Sequence, residues 1–149
     1  MSATTPEIEY RYLQATDYNA IVGVWTAAEL TYRPKGRDSR ERLVAELRRT
    51  PSFAFGALSE GKLIGTVIGT CDGRKGCVNR VAVVPEFRGK GIAQRLISLC
   101  EKSLLDAGAM VLFCLIEDYN SASQKLFEKV GYTCAEDVKY YSKRKNWDV

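Results

Sequence analysis

The sequence predicts an α+β fold, a mixed sheet with helices on both faces, and three observations carry that reading. Apolar runs of strand length alternate with stretches of helical spacing, in the order β-α-α-β-β-β-α-β-α-β-β. Three consecutive strand runs in the middle of the chain are joined by short turns, which makes an antiparallel meander. A later run, residues 110–116, is apolar almost throughout, the pattern of a strand buried on both faces.

Residues 8–13 alternate between Pro6 and Thr16 and read as the first strand. Thr16 and Asp17 can cap a helix whose apolar face is Ile21, Val24, Trp25 and Ala28. Pro34 and Gly36 make residues 31–37 a loop. Asp38 with Glu41 has capping-box spacing and opens a helix through Leu43, Val44 and Leu47, closed by Pro51. Residues 53–59 and 62–70 form a hairpin at Glu60-Gly61, and a turn at 72–76 leads into the run 77–84. That run is interrupted only by Asn79-Arg80 and stopped by Pro85. A core-facing helix over 91–107 carries Ile92, Leu96, Leu99 and Leu104, with Ile97, Cys100 and Leu105 widening the stripe, and ends at Gly108. Asn120-Ser121 opens a helix with Leu126, Phe127 and Val130, ended by Gly131. Residues 132–135 and 138–142 complete the sheet as closing strands, exposed enough to pair between subunits in a homodimer.

A chain of 149 residues fits a single domain, residues 1–149. With 46% hydrophobic and 27% charged residues it has the composition of a soluble globular protein. No apolar run reaches the ~18 residues of a membrane span, and the N-terminus has glutamates where a signal peptide needs an apolar stretch. The expected location is the cytoplasm, with no membrane partner. Five cysteines, none in a C-x-x-C pair, and no histidine argue against a zinc site and exclude Ser-His-Asp and Cys-His nucleophiles. A net charge of +4 suits an anionic ligand, whereas nucleic acid calls for a more concentrated basic stripe. The densest basic run, residues 139–145, alternates like an edge strand with solvated charges.

The chemistry concentrates where a strand gives way to a helix, at Val81-Ala82-Val83-Val84-Pro85-Glu86-Phe87-Arg88-Gly89-Lys90-Gly91-Ile92-Ala93. The first turn of a helix leaves N–H groups unpaired at a partly positive end, so a phosphate there is held by main chain alone. Gly89 and Gly91 admit the ligand without Cβ obstruction, while Arg88 and Lys90 add charge at the rim. The Walker sequence does not fit, because no glycine here is followed by Lys-Ser or Lys-Thr. A dinucleotide fingerprint would need glycine at Gln94.

This stretch, after a three-strand meander, resembles motif A of the GNAT (GCN5-related) N-acetyltransferases. Residues 120–132, Asn-Ser-Ala-Ser-Gln-Lys-Leu-Phe-Glu-Lys-Val-Gly-Tyr, are similar to the family's motif B, and the interval between the two is also the family's. The resemblance covers nearly the whole chain. It implies a mostly antiparallel, splayed sheet that binds acetyl-CoA as co-substrate. The pantetheine arm would pair with the main chain of Val81, Ala82 and Val83. The pyrophosphate would lie on Arg88, Gly89, Lys90, Gly91, Ile92 and Ala93. Asn120 would contact the cofactor arm, a role that can coexist with capping its helix.

The implied reaction is acetyl transfer to a primary amine, of a small molecule first and of a protein or peptide as the alternative. A non-catalytic acetyl-CoA-binding module is a further alternative, because relatives often carry a tyrosine acid and a glutamate base where this chain has Phe127 and Leu115. Glu117 and Tyr119 are the nearest candidates for proton transfer; strand-end carboxylates are commonly just solvated, and a tyrosine before a helix is commonly packing. Acceptor selection in the family falls to the connection between the first two helices, here Glu29, Tyr32 and Arg33. Glu29 can attract a cation and Arg33 can pair with a carboxylate.

Overall fold

The computed structural model describes residues 7–147 and 149. Its centre is a five-stranded sheet in sequence order: β1 (Ile8–Tyr12), β2 (Ala54–Ser59), β3 (Lys62–Cys71), β4 (Lys75–Val83) and β5 (Val111–Phe113). The first four strands are antiparallel neighbours, and β5 runs parallel to β4. Antiparallel neighbours need only short turns, and the Glu60-Gly61 hairpin has the positive φ at both residues that a tight strand-to-strand turn requires. The parallel step from β4 to β5 needs a crossover, provided by helix α3 (Ile92–Asp106).

Helices cover both faces. On one, α1 (Tyr18–Ala27) buries Ile21, Val24 and Trp25, and α2 (Arg40–Leu47) buries Leu43 and Leu47. On the other, α3 buries Ile92, Leu96, Ile97, Cys100 and Leu104. It lies so close to the sheet that a Cβ on Gly69 would come within 2.6 Å of the Cys100 Sγ. Helix α4 (Ser121–Lys129) contributes Phe127 to the same core.

Local departures from the sequence reading have physical causes. Ser39, not Asp38, caps α2, accepting from the Arg42 N–H, because Asp38 is drawn inward to the Arg33 N–H and the Arg80 guanidinium. Asp17 does not cap α1; its carboxylate takes the Gln14 N–H and both arms of Arg11. Leu105 lies on the solvent side of α3.

Two larger expectations fail. Residues 110–116 are not buried on both faces: Val111, Phe113 and Leu115 are exposed, while Leu112, Cys114 and Ile116 alternate with them against the core. The closing strands 132–135 and 138–142 are absent from the described sheet, where β5 is the last strand. A strand exists only with a partner for its ladder. Residues 133–143 make no backbone hydrogen bond within the described chain.

Candidate functional site

The site begins where two parallel strands part. β4 and β5 pair only from Lys75↔Val111 to Cys77↔Phe113, yet β4 continues to Val83. Residues 78–83 therefore have no strand on that side among the described residues, and a wedge opens between the strands. The Val84 N–H donates to the Ile64 carbonyl at 2.9 Å. By the alternation of an antiparallel ladder, Ala82, opposite Thr66, also commits its main-chain groups to β3. Those of Val81 and Val83 point into the wedge. Of the three residues expected to pair with a ligand arm, Ala82 thus faces the wrong way.

A bulge aids the divergence. The β3–β4 register slips between Thr66↔Ala82 and Ile68↔Asn79, and Arg80 sits there at φ 54°, unusual for a side chain with a Cβ. The polar pair Asn79-Arg80 in an otherwise apolar run is the mark this bulge leaves in the sequence.

At the wide end of the wedge lies the start of α3. Pro85 opens a 3₁₀ turn, Pro85–Phe87, and Gly89 and Gly91 take φ 76° and 79°, with open space where a Cβ would stand. Gly91 is the N-cap of α3 and has no side chain to satisfy the first turn. The first inward bond is from the Arg95 N–H to the Gly91 carbonyl, at 3.1 Å. The N–H groups of residues 89–94 find no acceptor among the described residues, and they converge on one helix start. Such a cluster, at the positive end of the peptide dipoles, suits an anion with several oxygens.

The flanking cations divide. Arg88 turns back instead of lining the rim: its Nε donates to the Val83 carbonyl at 3.1 Å and one terminal nitrogen to the Ala28 carbonyl at 3.5 Å. It ties the end of β4 to the end of α1. Lys90 lies over the Phe87 ring, 5.2 Å from its centre, and is exposed. On the β5 side, Asn120 caps α4 through its Oδ1, which accepts from the Ser123 N–H at 3.1 Å. Its amide NH₂ is left to donate elsewhere.

The connection between α1 and α2 forms the other wall, and a cluster not singled out from sequence fixes it there. The Arg80 guanidinium donates to the Thr31 carbonyl at 2.7 Å and to Asp38, and stacks 4.8 Å over the Trp25 ring. Below it, the Trp25 Nε1 donates to the Thr66 hydroxyl, which donates to the Arg80 carbonyl. Asp38 is 8% exposed, and pairing with Arg80 is what makes burying its charge tolerable. Glu29 is exposed at φ 57°, directly after the α1 terminus that Arg88 holds. Tyr32 packs its ring 5.7 Å from Trp25. The Arg33 main chain is engaged by Asp38 and Gly36.

The candidates for proton transfer are less enclosed. Glu117 and Asp118 follow β5, exposed, and their carbonyls accept from the Gln124 side chain. Tyr119 is 85% exposed. Phe127 is a core residue, edge-on to Tyr132 at 5.0 Å, so it does not present an apolar gap in an active site. The Tyr132 hydroxyl donates to Glu101 at 2.8 Å, and burial with this bond raises its pKa, which keeps it a packing residue. Burial also pushes the Cys100 thiol up to about 12 and the Cys114 thiol to about 11, so neither is a nucleophile near neutral pH.

A splayed β4/β5 wedge leading to an open helix start is the architecture of a CoA-dependent acyl transferase. The profile of the Acetyltransferase (GNAT) family matches residues 10–132, and the chain belongs to that family. As a member it is an acetyl-CoA-dependent acetyltransferase. It is 31% identical over 131 residues to an acetyltransferase from Pectobacterium atrosepticum, covering 88% of this chain and 92% of that one. A Yersinia enterocolitica acetyltransferase is 30% identical over the same length and coverage. In fold it is similar to the aminoglycoside N-acetyltransferase AAC(6')-Iy in complex with CoA, with TM-score 0.74, 20% identity, and coverage of 97% of this chain and 99% of that one. It is also similar to a ribosomal-protein-alanine N-acetyltransferase from Brucella melitensis, with TM-score 0.67, 22% identity, and coverage of 94% and 100%. No helix among the described residues is long and apolar enough to cross a membrane.

Proposed function

We propose that this chain transfers the acetyl group of acetyl-CoA to a primary amine of a small molecule. The observation that carries the reading is the polar track from the inward-facing main chain of Val81 and the Val83 N–H, beside the Val83 carbonyl that Arg88 holds, to the unpaired N–H groups of residues 89–94. A pantetheine arm carries amides that can pair with a strand, and a pyrophosphate carries oxygens that suit a helix start. Among the described residues, the track offers the right partners in the right order. The Asn120 amide would donate to the arm from the β5 side, and Lys90 would add charge at the mouth.

The acetyl-CoA thioester supplies an activated acyl group, and the chain's task is orientation and charge placement. A neutral amine attacks the carbonyl carbon, the carbonyl oxygen gains negative charge, and the C–S bond then breaks with the sulfur taking the electron pair. Main-chain N–H groups of β4 within the wedge would donate to that oxygen. The amine's proton passes to water and water returns one to the thiolate, a relay for which Glu117 and Tyr119, exposed beyond the end of β5, would serve. CoA thiol leaves readily, so a buried general acid is not required.

A small acceptor is favoured by the α1–α2 connection, which Arg80, Arg88 and Asp38 fasten close to β4 instead of leaving an open channel. Glu29 on that wall would attract an ammonium group, and Tyr32 and Arg33 would line the same side. Two relatives in fold bear on this choice, one named for an aminoglycoside and one for a ribosomal protein's alanine. Five free thiols fit work in a reducing compartment such as the cytoplasm.

The test is thiol release from acetyl-CoA across a panel of amino acids, polyamines, aminoglycosides and peptides. Turnover with a free amine is expected. Preference for peptides would move the acceptor to proteins, and binding of acetyl-CoA with no turnover on any acceptor would defeat the catalytic reading.

A further inference from the structure

The cations around the α1–α2 connection divide into those the fold uses and those it leaves free. Arg80 holds Thr31 and Asp38, and Arg88 holds Val83 and Ala28. Arg40 donates to the Asn19 side chain at 3.2 Å and lies over the Tyr18 ring. Arg33, Lys35 and Arg37, in the middle of the connection, have no carboxylate, hydrogen-bond acceptor or ring for their side chains among the described residues. Lys35 and Arg37 are exposed, and Arg33 is half-buried. From Leu30 to Ser39 the sequence holds one carboxylate, Asp38, and Arg80 neutralises it. Cations are no uniform coat on this chain, since Glu7, Glu9 and Glu60 line a common pocket beside β1.

These free cations sit on a loop that is already closed. The Arg33 carbonyl accepts from the Gly36 and Asp38 N–H groups, both at 3.0 Å, and the Arg33 N–H donates to the Asp38 carboxylate at 2.7 Å. The Ser39 N–H donates to the Gly36 carbonyl at 3.1 Å. Arg80 then fastens Thr31 and Asp38 to the bulge of β4, beside the wedge. Three like charges within five residues repel one another, and no side chain among the described residues offsets that cost. A bound anion would offset it, and a closed loop loses little freedom on binding one. At the other end of the connection, Glu29 is exposed and also has no charged partner among the described residues.

We infer that the acceptor is a primary amine that also carries an anionic group, a carboxylate or a phosphate, and that Arg33, Lys35 and Arg37 bind that group. The inference rests on the acetyl-transfer reading and names its substrate class. Glu29 and the three cations are the two poles of one wall, and such a wall orients a small zwitterion. It selects against polycations, which the loop repels. Guanidinium groups suit either anion, because each can bond two of its oxygens at once.

Two pairs of acceptors, alike except for the anion, test it: lysine against cadaverine for a carboxylate, and phosphoethanolamine against ethanolamine for a phosphate. In at least one pair kcat/KM should favour the anionic member by about tenfold or more, as a single charge-assisted bond allows. The ratio should shrink as salt rises. Lys35→Glu with Arg37→Glu should invert it, and Arg33→Gln alone should lower it; circular dichroism verifies that both variants fold. Lys62→Glu with Lys75→Glu makes the same change of net charge on exposed cations elsewhere and should leave the ratio as it is. Calorimetry on the chain saturated with CoA reads the same preference as affinity, without turnover. Turnover that favours cadaverine and ethanolamine, or treats the members of each pair alike, would overturn the inference and leave the proposed function standing. A preference that survives the double substitution in the loop would overturn it too, by placing the anion elsewhere. No turnover with any amine would overturn the proposed function instead. The calorimetric ratio then decides the inference by itself, and the absence of an anionic preference there overturns it as well.

Discussion

Three of the helices can be compared at their N-termini. α2 and α4 begin on Ser39 and Asn120, whose side chains accept from the Arg42 and Ser123 N–H groups. α3 begins on Gly91, with no side-chain cap and a run of N–H groups without acceptors among the described residues. A side-chain cap contributes about 1 kcal/mol, so α3, the longest of the three, forgoes a stabilisation that its shorter neighbours have. The difference separates helix ends closed by a side chain from one left open, where we propose that the phosphates of acetyl-CoA sit. Gly89 and Gly91 hold positive φ, which favours glycine, and the empty space around them would admit the ligand proposed there.

The comparison breaks most sharply at the glycines. Gly89→Val with Gly91→Val should lower acetyl-CoA affinity on the order of 100-fold or more, because a β-branched residue is strained at this φ and its side chain fills the anion's place. Titration calorimetry measures it, and unchanged affinity would remove α3 from the site.

Arg80→Ala tests the wall in place of the helix start. It leaves Asp38 buried without its partner and should cost about 3 kcal/mol in urea unfolding, near the lower bound for breaking a buried pair. Arg80→Lys should restore only part of this, since one ammonium cannot reproduce the fork to Thr31 and Asp38. Acceptor KM should rise while acetyl-CoA affinity holds.

Asn120 sharpens the distinction between capping and binding. Asn120→Asp keeps the oxygen that caps α4 and removes the NH₂ group. Stability should change by less than about 0.5 kcal/mol while acetyl-CoA affinity falls several-fold; Ser39→Ala, at a purely structural cap, should cost about 1 kcal/mol and leave affinity unchanged.

The smallest effect concerns pH. The hydrogen bonds from Arg11 hold the Asp17 carboxyl below its ordinary value. Its stabilisation is therefore complete above the unfolded carboxyl pKa and is lost as pH falls through the lower folded value. Asp17→Asn should flatten the acid limb of a Tm-against-pH curve and leave acetyl-CoA binding alone.

The motif around residues 81–93 was legible because main-chain chemistry writes itself in glycine and proline spacing, which is local. The Arg80 clasp was not, because Thr31, Asp38 and Trp25 reach it across the fold, and only the polar interruption Asn79-Arg80 hinted at a bulge. Ala82 and Arg88 were expected at the ligand from their position in the motif; ladder alternation turns the Ala82 main chain to β3, and the Arg88 guanidinium bonds the Val83 and Ala28 carbonyls, neither of which the motif reveals. Residues 110–116 and 138–142 carry strand pattern, but pattern supplies no ladder partner, and β5 is the last strand of the described sheet.

Amide resonances of residues 89–94 followed by NMR during titration with CoA test the central claim most directly. We expect the largest shifts at Gly89, Gly91, Ile92 and Ala93, with the capped Arg42 amide unmoved. Saturable CoA binding that leaves residues 89–94 unshifted would contradict it.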